Sequence, residues 1–75
     1  MTKMTFVWGY DWSGVYIDGT LATEGHTISA YEAAELAIER RATELEGFPC
    51  DIEWLEDRGD LPKNLADVKH QENKP

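Results

Sequence analysis

Two tight-turn signals cut the first third of the chain into short runs of aromatic and β-branched residues, and this punctuation constrains the fold more than any other feature. Thr5-Phe6-Val7-Trp8-Gly9-Tyr10 is followed by Asp11-Trp12-Ser13-Gly14 and then by Val15-Tyr16-Ile17. Asp18-Gly19, a dipeptide that tolerates the positive φ of a two-residue hairpin loop, leads into Thr20-Leu21-Ala22-Thr23-Glu24. Together these runs predict a three-stranded antiparallel meander. Side chains alternate along a strand, so Phe6, Trp8 and Tyr10 are expected on one face, with Val7 and Gly9 on the other. An apolar sheet face of this kind must be covered by a helix.

That helix is signalled at Ser29-Ala30-Tyr31-Glu32, where the Ser29 hydroxyl can accept from an early backbone N–H and Glu32 can reach back to complete a capping box. Residues 30–46 contain Ala, Leu, Glu and Arg without Gly or Pro, and Gly47 stands where a left-handed C-cap would close a helix. At 100° per residue, Ala30, Ala34, Ala37, Ile38, Ala42 and Leu45 fall on one arc with Tyr31 at its edge, and this is the expected core face. Arg41 lies inside that arc, so its stem should cover the core while its guanidinium reaches a carboxylate such as Asp51 or Glu53. After Gly47, Cys50, Ile52 and Trp54 alternate with Asp51, Glu53 and Leu55, which predicts a half-buried fourth strand. Residues 61–68 suggest a short C-terminal helix capped by Asp60 and packing Leu65 and Val68.

The expected architecture is thus an α+β domain: a β-meander, one long capped helix, a fourth strand and the short C-terminal helix. Seventy-five residues allow one domain. Residues 1–69 are read as that domain and 70–75, which lack an apolar anchor, as a disordered tail. A single cysteine, Cys50, cannot close an intrachain disulfide, and no apolar run approaches the ~20 residues of a membrane span. A cytoplasmic protein without a leader, metal or cofactor is the expectation.

No catalytic constellation is visible. His26, His70, Cys50 and the scattered serines form no metalloprotease helix, phosphate loop or nucleophile elbow. Gly9, Gly14 and Gly19 punctuate hairpins and open no helix. Glu53, Glu56, Asp57 and Asp60 do not match the alternating ligands of a calcium loop. Arg58-Gly59-Asp60 spells an integrin-type tripeptide in a chain with no other sign of secretion. We therefore expect a non-enzymatic protein.

Charge is the informative feature. Fifteen acidic residues against seven basic ones give a net charge of −8, which opposes direct contact with nucleic acid or an anionic membrane and favours a basic partner. Ten of the acids lie between residues 32 and 60, a stretch whose only cations are Arg40, Arg41 and Arg58. Read as one helix, Glu32, Glu35, Glu39 and Glu46 share an arc of about 60° opposite the apolar face. Carboxylates on such a stripe sit about 5–6 Å apart, and like-charge i,i+4 pairs cost about 0.2–0.5 kcal/mol each. Glu53, Glu56, Asp57 and Asp60 would extend the surface. Leu36 projects among the glutamates and Trp12 lies in a turn, so both are candidate apolar anchors for a partner.

In size, charge and architecture the chain resembles the small acidic phage-encoded inhibitors of host defence, the anti-CRISPR proteins. The resemblance implies occlusion: an acidic face fills the Lys/Arg channel in which a CRISPR-Cas subunit or nuclease holds DNA, and blocks DNA binding by charge mimicry. It carries over no residue, since those proteins share no motif. An alternative expectation is a small structural homodimer, paired through strand edges or the aromatic hairpin, whose acidity serves solubility. A third is an antitoxin-like neutraliser of a basic protein.

Overall fold

The computed structural model describes residues 2–71. Strands β1 (Thr2–Trp8), β2 (Ser13–Ile17) and β3 (Thr20–Gly25) form the expected antiparallel meander. Asp18 and Gly19 turn between β2 and β3 with φ of 49° and 86°, the positive values that Asp-Gly supplies. Helix α1 (Ala30–Arg40) follows, and strand β4 (Ala42–Pro49) then lies parallel to β1 on its outer side, giving the order β3-β2-β1-β4. Helix α2 (Ile52–Arg58) and a 3₁₀ turn (Leu65–Asp67) complete the chain. The α+β class holds, and none of the described helices is long and apolar enough to cross a membrane.

The boundaries after residue 40 differ from the sequence expectation. The capping at Ser29 is as expected, its hydroxyl accepting from the Glu32 N–H at 3.1 Å. The helix ends six residues early, however, at Arg41 in the left-handed conformation with φ 54°. Residues 42–46 then run as strand because β1 offers an unpaired edge along its whole length, and pairing there satisfies backbone groups that a longer helix would leave open. The fourth strand expected over residues 48–55 is strand only at Phe48 and Pro49, the end of β4, and becomes helix α2 from Ile52. Asp51 caps it, accepting from the Trp54 N–H at 3.0 Å, and Gly59 closes it in the left-handed region with φ 84°.

The shorter helix presents a different face. Ala33, Leu36 and Ala37 pack on Met4, Val15, Phe6 and Ile17, whereas Tyr31, Ile38 and Leu45 are exposed. With Ala42 and Leu45 removed to β4, the apolar arc is decided by the first three turns and rotates toward Leu36. Arg41 is an exposed cap residue and covers no core.

The sheet buries both faces. Met4 and Val15 face α1; Thr5, Val7 and Tyr16, at the alternate positions of the same strands, face the other way. On that second face Val7 and Tyr16 pack with Leu55 of α2 and with Cys50, Leu61 and Val68. The thiol of Cys50 is fully buried, which pushes its pKa up. The C-terminal segment crosses this face as a strap. It bonds to the β2–β3 turn and β3 through Leu65 N–H to Gly19 O at 2.9 Å and Leu21 N–H to Lys63 O at 2.8 Å. At the end of β4 and just past it the strap bonds through Gln71 N–H to Pro49 O at 3.1 Å and Asp51 N–H to Lys69 O at 2.8 Å. The expected burial of Leu65 and Val68 is present, although the helix is a single 3₁₀ turn begun at Asn64 and not at Asp60. His70 stacks on Phe48 at 3.9 Å, so the chain is held through Gln71. The remainder of the expected tail, 72–75, lies outside the described residues.

Candidate protein-binding surface

Placing α1 and α2 on opposite faces divides the acidic surface that the sequence suggests is continuous. Glu32, Glu35 and Glu39 are exposed on α1, opposite Ala33 and Ala37, and so remain a stripe. Glu53, Glu56 and Asp57 are exposed on α2, across the sheet from that stripe, with Asp60 just beyond its cap. Among the described residues no Lys or Arg lies within 4.0 Å of Glu32, Glu35, Glu53, Glu56 or Asp57. Glu39 meets only its neighbour Arg40 at 4.0 Å, and Asp60 pairs with Arg58 at 3.5 Å.

Three expected site residues are elsewhere. Glu46 is on β4 and not on the helical stripe. Its Oε1 takes Lys3 Nζ at 3.0 Å and the Thr5 hydroxyl at 3.2 Å. Those bonds hold its carboxyl below the usual range and raise the Lys3 ammonium. Leu36 packs into the α1 core and is no anchor. Trp12 is half-buried against the second core, its indole N–H donating to Glu24 Oε1 at 3.2 Å and its ring meeting His26 edge-on at 4.9 Å. Arg41 makes no ion pair with Asp51 or Glu53; the partner of Asp51 is Lys69, at 3.8 Å.

The fold does bring two of the expected residues together. Trp12 and Glu56 line one cleft of about 220 Å³ at the end of the sheet, between the β1–β2 loop and α2. Tyr10 and Asp11 form its loop side, Ile52, Leu55, Glu56 and Gly59 its helix side, and His26 its end. Tyr10 is 85% exposed, the most open aromatic side chain described, although alternation along the first strand had suggested a sheet face for it. Its signal in the sequence was position, one residue past Gly9, whose N–H bonds to Trp12 O at 2.7 Å and turns the chain out of the sheet. A Cβ at Gly9 would stand 2.6 Å from Leu55 Cδ2, so a side chain there would force the buried Leu55 to shift.

Ile52, Leu55 and Glu56 of α2 and its cap Gly59 face the cleft, and Glu53, Glu56 and Asp57 form the adjoining arc, so Glu56 belongs to both. Such an arrangement can hold a cation between carboxylates and aromatic surface. Among the described residues no group of three or more His, Cys, Asp and Glu converges as metal ligands would. A wider, more open groove lies beneath the strap, where Asp18, Glu46 and Asp67 supply carboxylates and His70 and Phe48 a wall. No protein-family model, curated protein or solved structure matches the chain.

Proposed function

We propose that the protein is a stoichiometric, non-enzymatic inhibitor that binds the basic nucleic-acid-binding surface of a host-defence complex of the CRISPR-Cas kind and blocks DNA binding by charge mimicry. The supporting observation is the set of exposed carboxylates on opposed faces of a narrow body, of which only Glu39, with Arg40 at 4.0 Å, has a cation close by among the described residues. Glu32, Glu35 and Glu39 stand on one side of the sheet and Glu53, Glu56 and Asp57 on the other. The body measures 34 × 23 × 22 Å, and its long axis is close to one turn of B-DNA, about 34–36 Å. A flat basic surface would meet one side only. A Lys/Arg channel that surrounds a duplex would meet both.

The test is displacement of duplex DNA from purified CRISPR-Cas effector complexes at low salt, read by gel shift. Loss of DNA binding near one inhibitor per complex, weakened by joint charge reversal of Glu35 and Glu39 and by raised salt, is the expected result. DNA binding unaffected across the effector types, or inhibition indifferent to that reversal, overturns it. Displacement of a basic toxin from its target would move the same surface to an antitoxin-like role.

A homodimer is the second reading, and the outer edge of β4 favours it. The strand is terminal in the sheet and Leu45 on it is 66% exposed. Glu44 and Glu46 on the same strand oppose such pairing, so sedimentation that depends on protein concentration and is disrupted by Leu45→Lys is required to sustain it.

A further inference from the structure

We propose that the cleft between the β1–β2 loop and α2 takes one arginine side chain of a basic protein partner. The proposal rests on the reading of the protein as a binder of basic surfaces and names the contact that anchors it. Two chemical features converge there. Asp11 and Glu56 are the charged side chains on its walls, and no Lys or Arg lines it. Tyr10 and Trp12 add aromatic surface, and the ring of Trp12 is fixed by its bond to Glu24 and its contact with His26. A fixed ring gives a cation a preformed surface and loses little conformational entropy on binding.

The occupant follows from complementarity. A carboxylate-edged aromatic cleft attracts a cation, and a guanidinium suits it better than an ammonium. Guanidinium is planar and weakly hydrated, stacks on aromatic faces, and still donates in a fork to a carboxylate. The chain uses the same chemistry internally, where the Arg58 guanidinium lies over the Trp54 ring at 5.5 Å and pairs with Asp60. Ile52 and Leu55 supply apolar surface for the methylene stem.

The experiment is an NMR titration of the whole protein with N-acetyl-arginine amide, alongside the neutral isostere N-acetyl-citrulline amide and N-acetyl-lysine amide. Saturable shifts of the Trp12 indole N–H and the Glu56 backbone amide are expected with the arginine compound, small with the lysine and absent with the citrulline. Tyr10→Ala and Glu56→Gln, both at exposed positions, should each weaken the arginine affinity by about two- to fivefold without altering the rest of the spectrum. No saturable shift with arginine, equal shifts with citrulline, or equal shifts with lysine would overturn the assignment. The titration contains no partner and the gel-shift variants lie on α1, so the cleft and the inhibitor reading fail independently. Arginine capture without DNA displacement would leave the cleft standing and remove the proposed target.

Discussion

The Tyr16 hydroxyl donates to the Pro62 carbonyl at 2.5 Å, joining the middle of the sheet to the strap that crosses it. Both residues are buried, so the carbonyl has no water to fall back on. Tyr16→Phe should therefore cost about 1–2 kcal/mol near neutral pH, measured as a shift in urea midpoint with little change in slope.

Burial also pushes the Tyr16 phenol up to about 12. In the unfolded chain it ionises near ~10, so the unfolded state loses its proton first as pH rises. The stabilisation is complete below pH ~10 and lost as pH climbs to about 12, a fall of about 2–3 kcal/mol. Denaturant midpoints of wild type and Tyr16→Phe between pH 9 and 12 should converge and then cross, because only the wild type carries this group and its loss exceeds the advantage of the hydrogen bond. Parallel curves would show that the phenol does not govern alkaline unfolding.

Arg41 closes α1 in a left-handed conformation that costs an L side chain about 1–2 kcal/mol. Replacing it with glycine should stabilise the protein by about 0.5–1 kcal/mol, raising Tm by roughly 2–8 °C. Were residue 41 inside a helix running to 46, the same change would destabilise by about 1 kcal/mol. The sign of the Tm shift separates the two.

Gly47 lies beneath the Trp8 ring. A Cβ there would stand 2.8 Å from Trp8 Cζ3 and 3.2 Å from the Phe6 carbonyl oxygen, one the rim of a large ring and the other backbone. Gly47→Ala should cost about 1–3 kcal/mol through overpacking and change the Trp8 emission. An alanine accepted without loss would mean that Trp8 moves freely off the strand.

If a basic channel meets both faces, reversal of Glu35 and Glu39 on α1 and reversal of Glu53 and Asp57 on α2 should each weaken binding. About 1–2 kcal/mol is expected for each pair, roughly five- to thirtyfold. The two effects should add, because the pairs share no partner. The α1 variant should be unchanged or slightly more stable, since joint reversal exchanges one like-charge i,i+4 pair for another and turns the like-charge i,i+3 pair of Glu32 and residue 35 into an opposite-charge one. Calorimetric titration of single and combined variants reads this; an effect confined to one pair would indicate a one-sided interface.

The meander, the Asp18-Gly19 turn and the start of α1 at Ser29 were legible in the sequence because each is a local matter. Turn dihedrals, strand alternation and an N-cap bond involve residues within a few positions of one another. The glutamate stripe at 32, 35 and 39 was legible for the same reason. Residues 42–46 were not, since Ala-Thr-Glu-Leu-Glu suits a helix as well as a strand. The open edge of β1, some forty positions earlier, decides between them. That choice moved Glu46 to Lys3, turned Leu36 into the core and sent Asp51 to cap a second helix, for which Asp51 and Gly59 were the overlooked start and stop signals.

What the sequence by itself determined is the α+β class, the strong negative charge, the order of the meander with its Asp18-Gly19 turn and the N-cap of α1. What only the tertiary structure decided is where the charges stand. A sheet packed on both faces separates α1 from α2, divides the carboxylates into two opposed sets, and brings Tyr10 and Trp12 of one loop against Glu56 of a helix more than forty positions away. Local propensity acts over one or two turns of chain, whereas burial of apolar surface and pairing of an open strand edge act wherever the chain can reach.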